Sequence, residues 1–465
     1  MNNAKQTGIL ILILILAGIL LVLPTIVRNM EGNPYSTNSD SYYNIRIFNE
    51  VDGNYFDNLQ QRHIPINIIY NLQSKESLNF LINKILMLVV GLATVIMVYA
   101  ILRKHNMSEK NIWAILLLLI ASPIFIYTFM GFNSYGIIIF ISLLIIYLMI
   151  IDYIWLAAIL FCILPFIDIY GAVISFVFIF LHSISNNRSL KRVRLFIILS
   201  IAAIIVSIIL NTLSGYNILG SIPFEESNII TDIGADIGFS FSSIILSVIG
   251  LLLLWEKGWK NLLIYSSILL GIVVAVFNNF VRIYINFILI MYSGFAFVYL
   301  TRRKWSIQLI KKITVLLIIC SILFTTLVYT TKIIKAKPNN DYIDALKFLE
   351  KQSFPEEKVL SSEDNGYIIA YYSDRPAFVD GKTRSYEHYK INILENISTS
   401  RNLERTENLL KSNNIRYIFI DQDFRQFLEE RQGLLFLIDT SGKFKNIYKN
   451  NLIEIWMYTP TEETG

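Results

Sequence analysis

Long apolar blocks alternate with short polar ones as far as about residue 331, after which the pattern changes. Ile, Leu, Val and Phe dominate 8–27, 78–102, 111–130, 136–151, 153–167, 170–184, 195–211, 239–255, 259–277, 283–300 and 313–331. About 20 helical residues cross the hydrocarbon core of a bilayer. The pattern therefore predicts about eleven transmembrane helices, with the blocks between 136 and 184 short for full crossings. Block 8–27 reads as a retained first helix. It is longer than a secretory apolar region of about 7–15 residues, and no small-residue cleavage site follows it.

From 332 to 465 the apolar and polar positions follow soluble periodicities. Residues 341–352 and 401–414 have helical spacing, the second ending at Asn414. Strands are expected at 358–362, 377–380, 415–421 and 451–458. The predicted fold is a polytopic α-helical membrane protein with a C-terminal extracytoplasmic α/β domain. Its parts are a transmembrane domain at 1–331, with outer loops 28–77 and 212–238, and a domain at 332–465.

Charge sets the orientation. Lys and Arg accumulate in cytoplasmic loops. Here they cluster at 103–110, 185–194, 257–260 and 302–312, which eleven spans place on one side. The N-terminus is then cytoplasmic and the tail lies across the cell membrane. Composition agrees: 54% of residues are hydrophobic and 16% charged, against about 25% charged in soluble chains. The net charge of +5 is spread over short loops, which argues against nucleic-acid binding. Cys162 and Cys320 both lie in apolar blocks, so no disulfide framework is implied.

The polar residues on the outer side are the candidates for chemistry. Asp40 follows the first helix closely enough to sit at the membrane surface, where a carboxylate suits a hard divalent cation. Arg46 is placed to face a phosphate. The alternative is a solvated loop whose tyrosines join the interfacial aromatic belt. The loop 212–238 has no Lys or Arg and carries Glu225, Glu226, Asp232 and Asp236. Arg282 opens a late helix on the outer side, against the usual charge bias. It can hold a phosphate or snorkel to lipid headgroups.

The string Asp40-Ser41-Tyr42-Tyr43-Asn44-Ile45-Arg46 resembles the first-loop acidic motif of oligosaccharyltransferase catalytic subunits, particularly archaeal ones, which are GT-C glycosyltransferases. Residues 55–62 resemble the stretch that follows it. Phe280-Val281-Arg282-Ile283-Tyr284 resembles the family's arginine–tyrosine segment, and Ser221 to Glu226 its external-loop glutamate motif. Ser361 to Tyr367, followed by Arg375-Pro376, resembles the WWDYG segment that reads the acceptor.

The resemblance implies a membrane glycosyltransferase that moves sugar from a polyprenyl-phosphate or -pyrophosphate donor to an extracytoplasmic protein or glycan acceptor. It implies catalytic roles for Asp40 and Glu225, and a divalent metal (Mn²⁺ or Mg²⁺) on Asp40, Glu225 and Glu226. It implies donor phosphate on Arg282 and Arg46, and acceptor contacts from Glu363, Asp364, Asn365, Gly366 and Tyr367.

Three departures qualify the match. Both tryptophans of WWDYG are absent, and Asn365 replaces its tyrosine. The third outer turn reads Gly131-Phe132-Asn133-Ser134-Tyr135-Gly136, without the family's second acidic pair. Asp57, Asp168 or Glu226 would have to substitute, or metal binding is lost. A single-sugar transferase acting on a glycan or lipid, and a non-catalytic homologue, remain the alternatives.

Overall fold

The structure, a computed structural model, describes residues 3–34, 42, 76–131, 134–185, 190–213, 230–233, 237–255, 259–381, 383 and 387–459. Asp40, Arg46, Asp57, Asn133, Glu225 and Glu226 lie outside the described residues. The chain forms two compact units. The first comprises Met1–Val27, His63–Leu210 and Pro223–Ile334; the second comprises Arg28–Arg62, Asn211–Ile222 and Lys335–Gly465.

Each apolar block of the sequence forms helix in the first unit. In order these are α1 (Asn3–Met30), α2 (Glu76–Lys104), α3 (Glu109–Ile120), α4 (Pro123–Met130), α5 (Ser134–Ile150) and α6 (Ile154–Ile167). Then come α7 (Ile169–Ser185), α8 (Leu190–Leu213), α9 (Phe241–Leu253), α10 (Trp259–Phe277), α11 (Asn279–Arg302) and α12 (Gln308–Lys335). Among the described residues, four helices are long and apolar enough to cross a membrane singly.

The block expected as one straight span at 111–130 is two helices. α3 and α4 meet at 61°. The cause is Pro123, which cannot donate the hydrogen bond a continuing helix needs and starts α4 instead. The exposed Ala121 carbonyl accepts a hydrogen bond from the Thr326 hydroxyl at 2.7 Å. Ser122 donates to Asn286 Oδ1 at 3.0 Å. Backbone freed inside an apolar bundle has to find such partners, because lipid offers none.

α11 is the central helix. Its best apolar window is 61% buried, against 33% or less for the other long spans. Close approach sets its packing: a Cβ on Gly250 of α9 would lie 2.0 Å from the Tyr292 carbonyl oxygen. Small residues allow such contacts where lipid removes the hydrophobic drive between helices. Polar ties add register. The Tyr284 hydroxyl bonds Ser142 of α5 at 2.9 Å and Ser175 of α7 at 2.5 Å, and the two serines meet at 2.9 Å.

The second unit holds a four-stranded sheet of order β1-β2-β4-β3, formed by β1 (Lys358–Leu360), β2 (Ile415–Asp421), β3 (Phe444–Lys449) and β4 (Ile453–Tyr458). β1 and β2 are parallel; the β2–β4 and β3–β4 pairs are antiparallel. The helices flanking the sheet are α13 (Asn340–Gln352), α14 (Gly366–Ser373), α15 (His388–Thr399), α16 (Leu403–Ser412), α17 (Gln422–Arg431) and α18 (Leu434–Thr440). Leu360, Ile418, Phe424, Leu428 and Leu434 are among the residues of its core. The strand expected at 377–380 contributes only one bridge, Val359 to Ala377. β3 was not expected: its sequence, FKNIYK, carries two lysines and an asparagine, as suits a sheet edge.

Candidate functional site

The described part of the first-loop motif is Tyr42, and it is completely buried. Its ring lies 5.2 Å from that of Tyr371 and 5.5 Å from that of Tyr372, centroid to centroid. The Tyr372 hydroxyl donates to that of Tyr42 at 3.4 Å. Burial, reinforced by Tyr372, pushes the Tyr42 hydroxyl well above its usual range. The two partners end α14, the helix that directly follows the Glu363–Asn365 turn. Within the second unit, then, Tyr42 packs on the helix that follows the Glu363–Asn365 turn.

Arg28 anchors the start of the same loop. It is fully buried. Its guanidinium donates to the carbonyls of Pro34 at 3.0 Å, Ala336 at 2.7 Å and Pro338 at 2.8 Å. Sequence reasoning missed it, because a single arginine after an apolar block looks like a helix-end cation. An arginine on the side that the charge pattern assigns to the outside was the available signal.

The segment Glu363 to Tyr367 divides by burial. Asp364 is exposed and Glu363 partly so, whereas Asn365, Gly366 and Tyr367 are buried. Asn365 donates to Ser361 Oγ at 3.1 Å, and Ser361 donates to the Phe419 carbonyl at 2.8 Å. The turn is thereby tied to the carboxyl ends of the parallel strands β1 and β2. A Cβ on Gly366 would lie 2.4 Å from the Val379 carbonyl oxygen, so this position accepts only glycine without rearrangement. Asn365 and Gly366 hold the turn; Glu363 and Asp364 are the side chains it presents.

Beside them, Asp421 ends β2 and caps α17 by accepting the Phe424 amide at 2.8 Å. It also accepts from Lys337 at 2.9 Å and from the Tyr342 hydroxyl at 2.5 Å. Burial alone would push the Asp421 carboxyl up. The Lys337 ammonium and these hydrogen bonds outweigh it and hold the group below its usual range.

In the first unit, Arg282 occupies the first turn of α11, as expected, but it does not snorkel. It is 1% exposed. Its guanidinium donates to the carbonyls of Ala275 at 2.5 Å, Val276 at 2.6 Å and Ile237 at 2.8 Å. Two of these end α10, so a cation sits at the negative end of that helix dipole. Asn278 caps α11 by accepting the Val281 amide at 3.1 Å. These contacts commit three donors of Arg282 to backbone.

Asp168 accepts the Gly171 amide at 2.8 Å and so caps α7. Lys84 was not foreseen. Its amine donates to the Met130 carbonyl at 2.5 Å, at the C-terminal end of α4. Among the described residues, no group of three His, Cys, Asp or Glu side chains converges to hold a metal.

No protein-family model matches the sequence, and neither does any curated protein. Solved structures do match. The oligosaccharyltransferase of Archaeoglobus fulgidus in its apo form superposes with a TM-score of 0.60 at 12% identity, covering 89% of this chain and 69% of that one. The same protein in complex with Zn and sulfate gives 0.51 at 13% identity, covering 97% and 74%. ArnT from Cupriavidus metallidurans, bound to undecaprenyl phosphate, gives 0.50 at 9% identity, covering 98% and 99%. The chain therefore has the fold of GT-C membrane glycosyltransferases, as its motifs led us to expect. Its apolar helices and its small C-terminal sheet are both part of that likeness.

Proposed function

We propose that the protein is a multi-pass membrane glycosyltransferase that transfers sugar from a polyprenyl-phosphate or -pyrophosphate donor to an acceptor outside the cytoplasm. The observation that carries this reading is the burial of Tyr42 against Tyr371 and Tyr372. Asp40 precedes Tyr42 by two residues in the sequence, at most about 7 Å of chain, which supports a role for it beside the tyrosine cluster. The first-loop acid and the Glu363–Asp364 turn then serve one reaction centre. The fold shared with ArnT, whose matched structure holds undecaprenyl phosphate, supports a lipid-linked donor.

In this reading the acceptor's nucleophilic atom, an amide nitrogen of a protein or a hydroxyl oxygen of a glycan, attacks the anomeric carbon of the donor sugar. The new bond forms from that atom as the bond to the carrier phosphate breaks. Asp40 takes the acceptor proton. Arg282 and Arg46 stabilise the phosphate that leaves, Arg282 by giving up a carbonyl contact. Glu225 orients the acceptor. The carboxylates of Asp40, Glu225 and Glu226 are hard oxygen donors of the kind Mg²⁺ or Mn²⁺ prefers. A divalent ion held by them would supply charge stabilisation for the departing phosphate. Glu363 and Asp364 contact the acceptor, while Asn365, Gly366 and Tyr367 keep their turn in place.

A single-sugar transfer to a glycan or lipid is the second reading, and the burial of Asn365 favours it. The position that is tyrosine in the peptide-reading motif is here tied inward to Ser361. A hydroxyl acceptor is also the easier nucleophile, since an amide nitrogen has its lone pair delocalised.

The test supplies purified full-length protein with an extract of lipid-linked sugars, Mg²⁺ or Mn²⁺, and both a sequon peptide and a glycan acceptor. Labelled glycan or lipid supports the second reading, and labelled peptide the first. Absence of any transferred sugar from folded protein across varied donors overturns both and leaves a non-catalytic homologue.

A further inference from the structure

A cavity of about 440 Å³ opens in the first unit between α9 and α11, at the end of the bundle that carries the Arg302 side of α11. Its wall is apolar: Leu253, Leu254, Phe295 and Val298. Tyr299 lines it too and is 42% exposed. Arg302 and Arg303 stand at its polar edge. Both are exposed. Neither guanidinium has a hydrogen-bond or ion-pair partner among the described residues.

Nearby features place this end at the level of a lipid headgroup layer. Asn111, at the start of α3, also lines the cavity. The turn before it follows Arg103 and Lys104, which close α2. Tyr99 stacks on Trp113, with centroids 5.6 Å apart. Trp255, just past α9, stacks on Tyr265 at 4.5 Å and is 51% exposed. Amphipathic rings and basic residues gather where hydrocarbon meets water.

We infer that this cavity is a binding site for an anionic phospholipid, with the headgroup phosphate on Arg302 and Arg303 and the upper acyl chain against the Leu253–Val298 wall. The two ends of the site differ as such a lipid differs. Arginine pairs bind phosphate bidentately, which an ammonium does not. Basic pockets between membrane helices take anionic headgroups. Leu253 and Leu254 of the wall are exposed at 40% and 39%, open to an acyl chain where the helices cross a bilayer. Arg302 closes α11 at the end opposite Arg282, and the site does not rest on the proposed function.

Native mass spectrometry of the full chain in detergent tests it, with phosphatidylglycerol as probe, phosphatidylcholine as the neutral-headgroup control and inorganic phosphate as competitor. The expected result is that wild type retains phosphatidylglycerol several-fold better than phosphatidylcholine. The R302Q/R303Q variant should lose that preference. Val298→Phe, which fills the groove and keeps both arginines, should lower phosphatidylglycerol retention several-fold as well. Equal retention of the two lipids by wild type overturns the site. So does undiminished retention in Val298→Phe, which reduces the effect to surface charge. Displacement by millimolar phosphate would overturn the lipid in favour of a free-phosphate site. Val298→Phe keeps the test decisive if the double arginine variant fails to fold.

Discussion

Tyr42 and Tyr372 lie 330 positions apart in sequence, yet their rings are 5.5 Å apart and their hydroxyls 3.4 Å. Tyr42 follows Asp40 by two residues, and Tyr372 belongs to the helix after the Glu363–Asn365 turn. The pair joins the two segments that the proposed reaction needs together.

Packing should matter more than the hydroxyl contact. Aromatic pairs contribute about 0.5–1.5 kcal/mol beyond area burial, and a hydrogen bond at 3.4 Å is at the weak end of its range. Tyr42→Phe should therefore keep most sugar transfer. Tyr42→Ala should lower kcat by at least about tenfold, the equivalent of about 1.4 kcal/mol, with a smaller change in donor KM. Steady-state kinetics on both variants checks this. Equal activity of Tyr42→Ala and wild type would remove the tyrosines from any positioning role.

Asp421 makes the second unit sensitive to acid. Its folded-state carboxyl is held below the unfolded value by Lys337 and hydrogen bonds, against the opposing effect of burial. A depressed folded value stabilises fully above the unfolded one, near pH 4, and the contribution disappears as pH falls through the folded value. Full-length protein should show a falling thermal midpoint of this unit below about pH 4. Asp421→Asn should flatten that slope. It should also cost about 1.5 kcal/mol at neutral pH, since it removes one charge-assisted hydrogen bond from Lys337 and leaves that ammonium to the exposed Asp423, 2.6 Å away. Limited proteolysis of the tail against pH reads both effects.

Arg282 can be separated into its two roles. It satisfies three carbonyls, two of them at the end of α10 and the third that of Ile237, and Arg282→Lys cannot reach all three from one ammonium. The expected result is a lowered thermal midpoint together with loss of transfer. A variant that keeps its midpoint but loses transfer would point to a phosphate role alone. One that loses midpoint and keeps transfer in proportion to folded protein would make the residue purely structural.

What the sequence made legible follows from the range of the forces involved. Apolar blocks specify helices locally, so each one formed. Strand β2 alternates β-branched and aromatic residues and was readable as such; edge strand β3, with its lysines, was not. Pro123 was visible in the sequence, but the break it makes depends on Thr326, 205 positions away, satisfying the freed Ala121 carbonyl. Arg28 likewise owes its role to carbonyls 308 and 310 residues on. Motif matching found Asp364-Asn365-Gly366, yet only burial separates the exposed Asp364 from Asn365 and Gly366, which hold the turn.

The most direct measurement is sugar transfer from a lipid-linked donor by wild type and Asp40→Asn, at matched folded concentration and with Mg²⁺ or Mn²⁺ present. Wild type should show metal-stimulated transfer, and the variant a fall of at least about 100-fold, the low end of what a positioned acid–base group contributes. Transfer by Asp40→Asn at the wild-type rate would contradict it.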